Sequence, residues 1–164
     1  MANRLNLREF QQSLSDRIHA KDRASNQVST LGVQIAGEYW LVDMVNISEV
    51  LPMPPLTRVP LSKPWFRGVA NVRGNLYCVA DMAAYVQKGE VIGDIANRVL
   101  LVAERHAFNA ALLVDRVLGL RDAQTWQQSN IEGQIEYRDE HGVSWRRLNV
   151  VGLLNQAEFL QVGI

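Results

Sequence analysis

The chain is short of what covalent or metal chemistry needs. It has one cysteine, Cys78, in 164 residues, so no internal disulfide and no cysteine-based zinc site can form. A lone thiol also points to a reducing compartment. The three histidines, His19, His106 and His141, fall in a predicted helix, a hairpin tip and a loop. None has a partner at HxxxH spacing, so the sequence supports no metal site, and solvent-exposed histidines are expected. Neither sign of charge is in excess: 17 Lys and Arg balance 17 Asp and Glu. Without a concentrated surplus of cations, nucleic acid is not expected as a partner. No apolar run reaches the ~18 residues of a membrane helix. The N-terminal MANRLNLREFQQSLSDRIHAKDR lacks the apolar block of a signal peptide. No membrane insertion is expected, and the expected location is the cytoplasm.

Apolar residues make up 48% of the chain, enough for the core of one domain or of two small subdomains that share it. Leu7, Phe10, Leu14 and Ile18 recur at spacings of three and four, which predicts an amphipathic helix over about 5–21. With the polar linker behind it, this forms an extension over 1–28. From Leu31 the period changes to two: Leu31, Val33 and Ile35 point one way and Gln34 and Ala36 the other, with a turn near Gly37-Glu38. YWLVDMVNISEVL continues as β-branched, strand-like sequence. All five prolines lie between Pro52 and Pro64. That density excludes helix and central strand and predicts a stiff crossover.

Strands are then expected over Val69–Val72 and Leu76–Ala80, joined by a tight turn in which Gly74 supplies the positive φ. Asp81 is placed to N-cap a short helix, MAAYVQK. Further strands are expected over Asn97–Glu104, Phe108–Val114, Arg116–Arg121 and Ser144–Leu148, with 122–143 read as a polar, turn-rich stretch anchored by Trp126 and Ile131. Asn149 caps a C-terminal helix, and the apolar FLQVGI packs back. Short strands, frequent turns and few helices predict a mainly β fold of one or two small barrels.

Nothing in the pattern makes an enzyme. Cys78 sits mid-strand and reads as a small buried apolar residue. Asp43, Asp81 and Asp115 follow apolar runs, as catalytic carboxylates do, but capping explains them equally. GVANVRG lacks the spacing of a phosphate-binding loop. No cofactor is expected. Arg73, in contrast, stands at the bend between two strands. A guanidinium there offers five fixed donors to a partner's carboxylates or carbonyls; a solvated turn residue is the other reading.

The ordered segments GEYWLVDMVNISEVL, the proline-containing crossover, FRGVANVRGNLYCVADM, RVLLVAE and ALLVDRVLGL together resemble the CheW family of chemotaxis coupling proteins. KPWFRGVANVRG and the N-terminal extension are most similar to the branch that serves type IV pilus (twitching motility) systems. The resemblance implies two intertwined SH3-like five-stranded barrels over 29–164. It implies no catalytic activity. The partners it implies are the cytoplasmic tip of a methyl-accepting chemoreceptor and the regulatory domain of a CheA-type histidine kinase. The family's receptor-contact positions fall on Ile47, Glu49, Asn71, Val72, Arg73 and Gly74, with Arg67 as an addition. Recruitment to a membrane-associated signalling array would follow. A small-molecule or other protein-binding module without kinase coupling is the alternative.

Overall fold

The computed structural model describes residues 29–163; the helix predicted over 5–21 lies outside them. Eleven strands alternate with three short helices and two 3-10 turns among the described residues. β1 (Thr30–Ile35) and β2 (Glu38–Asp43) form a hairpin through Ala36-Gly37, both at positive φ. β3 (Ile47–Pro52), β4 (Phe66–Val72), β5 (Asn75–Asp81), β6 (Arg98–Val102) and β7 (Ala110–Val114) follow. The chain then returns with β8 (Arg116–Arg121), β9 (Gln127–Ile131), β10 (Gln134–Arg138) and β11 (Ser144–Leu148).

These strands make two sheets. One has six strands in the order β8-β1-β2-β11-β10-β9; the other has five in the order β3-β6-β7-β5-β4. The five-stranded sheet is a continuous insertion between β2 and β8, and each sheet contains one parallel pair, β2 with β11 and β5 with β7. The first sheet has six strands where five were implied, and two of them form the β9–β10 hairpin within 122–143, which was read as loop. The strand expected over Phe108–Val114 begins only at Ala110.

The apolar faces explain the pairing of the sheets. Val33, Ile35, Trp40 and Val42 of the first sheet join Val79, Leu100, Leu112 and Val114 of the second in one buried cluster. A separate cluster of Leu41, Tyr137 and Trp145 takes in Leu118 and Trp126. Its members come from β8 near one edge of the six-stranded sheet and from β10 near the other, so this sheet is rolled around it. In the five-stranded sheet the proline-rich crossover lays Thr57 along β4, exchanging hydrogen bonds of 2.9 and 2.8 Å with Val69. Thr57 follows β3 closely in sequence, so the bridge brings the two edges of the sheet together. Gly68 makes it possible: its φ is +138°, and a Cβ there would strike the Thr57 carbonyl oxygen.

The caps fall where they were expected. The Asp81 Oδ1 accepts from Ala84 N at the head of α1 (Met82–Tyr85). The Asn149 Oδ1 accepts from Gly152 N in α2 (Val150–Leu154). The chain end packs back through α3 (Ala157–Leu160), whose Phe159 stacks on Trp65 with centroids 5.3 Å apart.

Candidate functional site

The β4–β5 hairpin turns on Arg73 and Gly74, with φ of 52° and 86°. Two successive positive values make the primed turn whose twist matches its flanking strands. Arg73 therefore holds a left-handed conformation that a non-glycine residue adopts at some cost. Asn71 supports it, since its Oδ1 accepts from Gly74 N at 2.9 Å.

The Arg73 side chain crosses to the opposite edge of the sheet. Its Nη1 and Nη2 donate to the two oxygens of Glu49 on β3, each at 2.6 Å. This fork-to-fork pair remains open to solvent, with side chains 70% and 33% exposed. The hydrogen bonds from Arg73, reinforced by its charge, hold the Glu49 carboxyl below the usual carboxylate range. A bulge in β3 between Ile47 and Glu49 breaks the strict alternation of faces there. Ile47, 6% exposed, packs in the core, whereas Glu49 reaches the rim.

A second arginine–carboxylate pair lies at the other end of the β4–β5 hairpin. A bulge between Phe66 and Gly68 on β4 sets Arg67 apart from the ladder. Its Nε and Nη2 donate to Asp81 Oδ2 at 3.0 and 2.8 Å, and Nη2 also donates to the Val91 carbonyl at 2.6 Å. Val91 N completes the set on Oδ2 at 3.0 Å. Asp81 is fully buried, so its charge is compensated by Arg67 and by backbone donors. The pair ties β4, β5 and the 87–97 loop together.

The expected site residues thus divide. Glu49, Asn71, Val72, Arg73 and Gly74 form one rim, with Val72 half-buried. Ile47 packs in the core, and Arg67 lies toward the end of β4 away from the turn, ion-paired with Asp81. The link between Glu49 and Arg73 could not be read from sequence, because they are brought together only when β3 and β4 meet as opposite edges of one sheet.

Other candidates settle into structural roles. Cys78 is half-buried rather than fully buried, and desolvation pushes its thiol above the ordinary range. Asp115 accepts from Gly37 N and Asp43 pairs with Arg147. His106, read as solvent-exposed, is half-buried: its Nε2 and the Arg105 guanidinium both meet Asn46 Oδ1, at 3.0 and 2.8 Å. Among the described residues no three His, Cys, Asp or Glu side chains are grouped to hold a metal, and no helix is long and apolar enough to cross a membrane.

A family model for the CheW-like domain matches residues 29–160. The chain belongs to the CheW-like family. Protein PilI of Pseudomonas aeruginosa is 34% identical over 104 residues, which cover 62% of this chain and 57% of that protein. The chemotaxis protein CheW of Thermotoga maritima is 29% identical over 97 residues, 59% of this chain and 63% of the relative. The chain therefore matches less than two thirds of the length of either relative. The scaffolding protein TtCheW from Thermoanaerobacter tengcongensis superimposes with a TM-score of 0.66 at 17% identity, over 80% of this chain and 95% of that one. That likeness gives the CheW-like fold. Met82 and Ala83, which follow the strand-ending Asp81, are both fully buried.

Proposed function

We propose that this protein is a non-catalytic adaptor that couples the cytoplasmic tip of a chemoreceptor to the regulatory domain of a CheA-type histidine kinase, in a pathway that controls type IV pili. The adaptor reading rests above all on the solvent-open Glu49–Arg73 pair, seated on a conformationally fixed turn in a CheW-like domain. The pilus assignment rests on the similarity to PilI. An exposed bidentate ion pair on a rigid hairpin is poor at chemistry but well suited to docking. It presents two charges in one geometry and pays little ordering entropy when a partner engages it.

In this reading Glu49, Asn71, Val72, Arg73 and Gly74 touch the receptor, while Ile47 anchors β3 in the core and Arg67 ties β4 to β5 and to the 87–97 loop through Asp81 and Val91. Coupling follows from simultaneous contact: a receptor movement that favours one geometry of the bridged complex shifts the kinase between its states by that differential binding energy. The test is to measure binding of Arg73→Glu to a receptor tip and to a kinase regulatory domain separately. Receptor affinity should fall about tenfold to a hundredfold, as for loss of a charged contact, while kinase affinity holds. Unchanged receptor binding by the folded variant would return Arg73 to a solvated turn residue.

A further inference from the structure

At the end of β4 away from the turn, a cleft of about 430 Å³ opens between the proline-rich crossover and the 87–97 loop. Its walls include Arg58, Leu61, Lys63, Phe66, Arg67 and Glu90. The volume is within the roughly 300–1,000 Å³ usual for ligand sites. Three cations thus face one carboxylate in a chain whose charges otherwise balance. Arg67 is neutralised by Asp81, but neither Arg58 nor Lys63 has a carboxylate within ion-pair distance among the described residues. Glu90 can offset only one of them, so the cleft keeps a surplus of positive charge. None of the three cations is buried, and a ligand can reach each of them.

The backbone beneath these cations is fixed before any ligand arrives. Pro60 and Pro64 lock φ on either side of Ser62 and Lys63. Ser62 Oγ donates to the Val59 carbonyl at 2.7 Å, Lys63 N to the Val162 carbonyl at 2.8 Å, and Phe66 N to the Lys63 carbonyl at 2.9 Å. Arg67 is held through Nε and Nη2 by Asp81 and the Val91 carbonyl. Its Nη1 takes no part in that set and remains available as a donor. A single carboxylate has two oxygens in one plane and one charge, too few to serve three cations set around a cleft. A phosphate group has three acceptor oxygens in a tetrahedral arrangement and nearly two charges at neutral pH. Arginine and lysine together are the side chains that hold it, one as a fork of donors and the other as a point charge.

We propose that this cleft binds a phosphate group on Arg58, Lys63 and Arg67, either as free phosphate or as a small organic phosphomonoester. The site lies at the opposite end of β4 from the Glu49–Arg73 rim and does not depend on the adaptor reading.

The test follows the Lys63 amide and the Arg67 Nε–H resonances in the ¹⁵N-labelled full chain. The chain is titrated with inorganic phosphate, with glucose 6-phosphate, with glucose, and with sodium chloride at matched ionic strength. The expected result is a saturable shift with the two phosphates and none with glucose or chloride. Arg58→Gln and Lys63→Gln, neither of which removes an ion pair, should each weaken binding about tenfold. Arg138→Gln, on β10 of the other sheet, should leave it unchanged. Tighter binding of glucose 6-phosphate than of inorganic phosphate supports a phosphomonoester; equal binding supports free phosphate. No saturable shift at millimolar concentration of either phosphate, the same shift with chloride or glucose, indifference to both cleft substitutions, or an equal loss in Arg138→Gln would each overturn the proposal.

Discussion

Arg67→Met separates a positioning arginine from a docking one. Asp81 is fully buried, and two of the three donors on its Oδ2 come from Arg67. The substitution keeps much of the aliphatic bulk but leaves the carboxylate with backbone donors alone. It also strips the Val91 carbonyl of its 2.6 Å partner. Breaking a buried ion pair from one side costs about 3–5 kcal/mol. Here the Arg67 side chain is 28% exposed, so water reaches the vacated place and the cost drops to about 2–3 kcal/mol. For a domain of this size that lowers Tm by about 10 °C. Thermal and urea unfolding followed by circular dichroism give both quantities. Below the transition, the folded variant should bind a receptor tip as the parent does. A loss of stability under about 1 kcal/mol would mean that the pair behaves like an ordinary surface ion pair, and the reasoning would fail. Full stability with lost receptor binding would make Arg67 a contact residue.

Gly68→Ala should be among the most damaging single changes, because the new methyl meets the Thr57 backbone and φ is +138°; hydrogen exchange should show early loss of protection at Thr57 and Val69, and retained protection there would contradict the account. Cys78, with its thiol pushed up by burial, should react with a disulfide reagent at neutral pH more slowly than free cysteine; equal rates would refute the shift. Around Asp139, desolvation raises the carboxyl, but donation from Trp145 Nε1, Val143 N and His141 N outweighs it and leaves the group below its ordinary 3.8. A depressed carboxylate adds stability that is fully present above the ordinary value and lost as pH falls through the folded one. Protection of the Val143 amide should therefore persist through pH 3.8 and fall only in stronger acid, whereas loss at higher pH would refute the assignment.

The parts of the fold written in local chemistry were legible. A period-two apolar run marked β1, continuous apolar runs marked β6 and β7, and the residues Asp81 and Asn149 placed both caps. The β9–β10 hairpin was missed because its strands are polar: QQSNI is exposed along its whole length and QIEYR buries only Tyr137 fully. The turn was nevertheless signalled. Asn130-Ile131-Glu132-Gly133 repeats the pattern of Asn71-Val72-Arg73-Gly74, with Asn130 Oδ1 accepting from Gly133 N at 3.0 Å and φ of 52° and 83° at the bend. At the candidate site the exposed arginine could be picked out by type and position. Its pairing with Glu49 could not, nor could the pairing of Arg67 with the buried Asp81, since these depend on two bulges and on how the sheet folds.

The most direct measurement of the adaptor claim is assembly of the three-part complex. Immobilised receptor tips are incubated with kinase regulatory domain, with and without the full chain. The account predicts that kinase is retained only when the chain is present, and that Arg73→Glu raises the chain concentration needed for this retention about tenfold to a hundredfold while leaving the chain's own binding to kinase intact. Kinase retention that does not depend on the chain, or a chain that binds either partner only in the absence of the other, would contradict coupling.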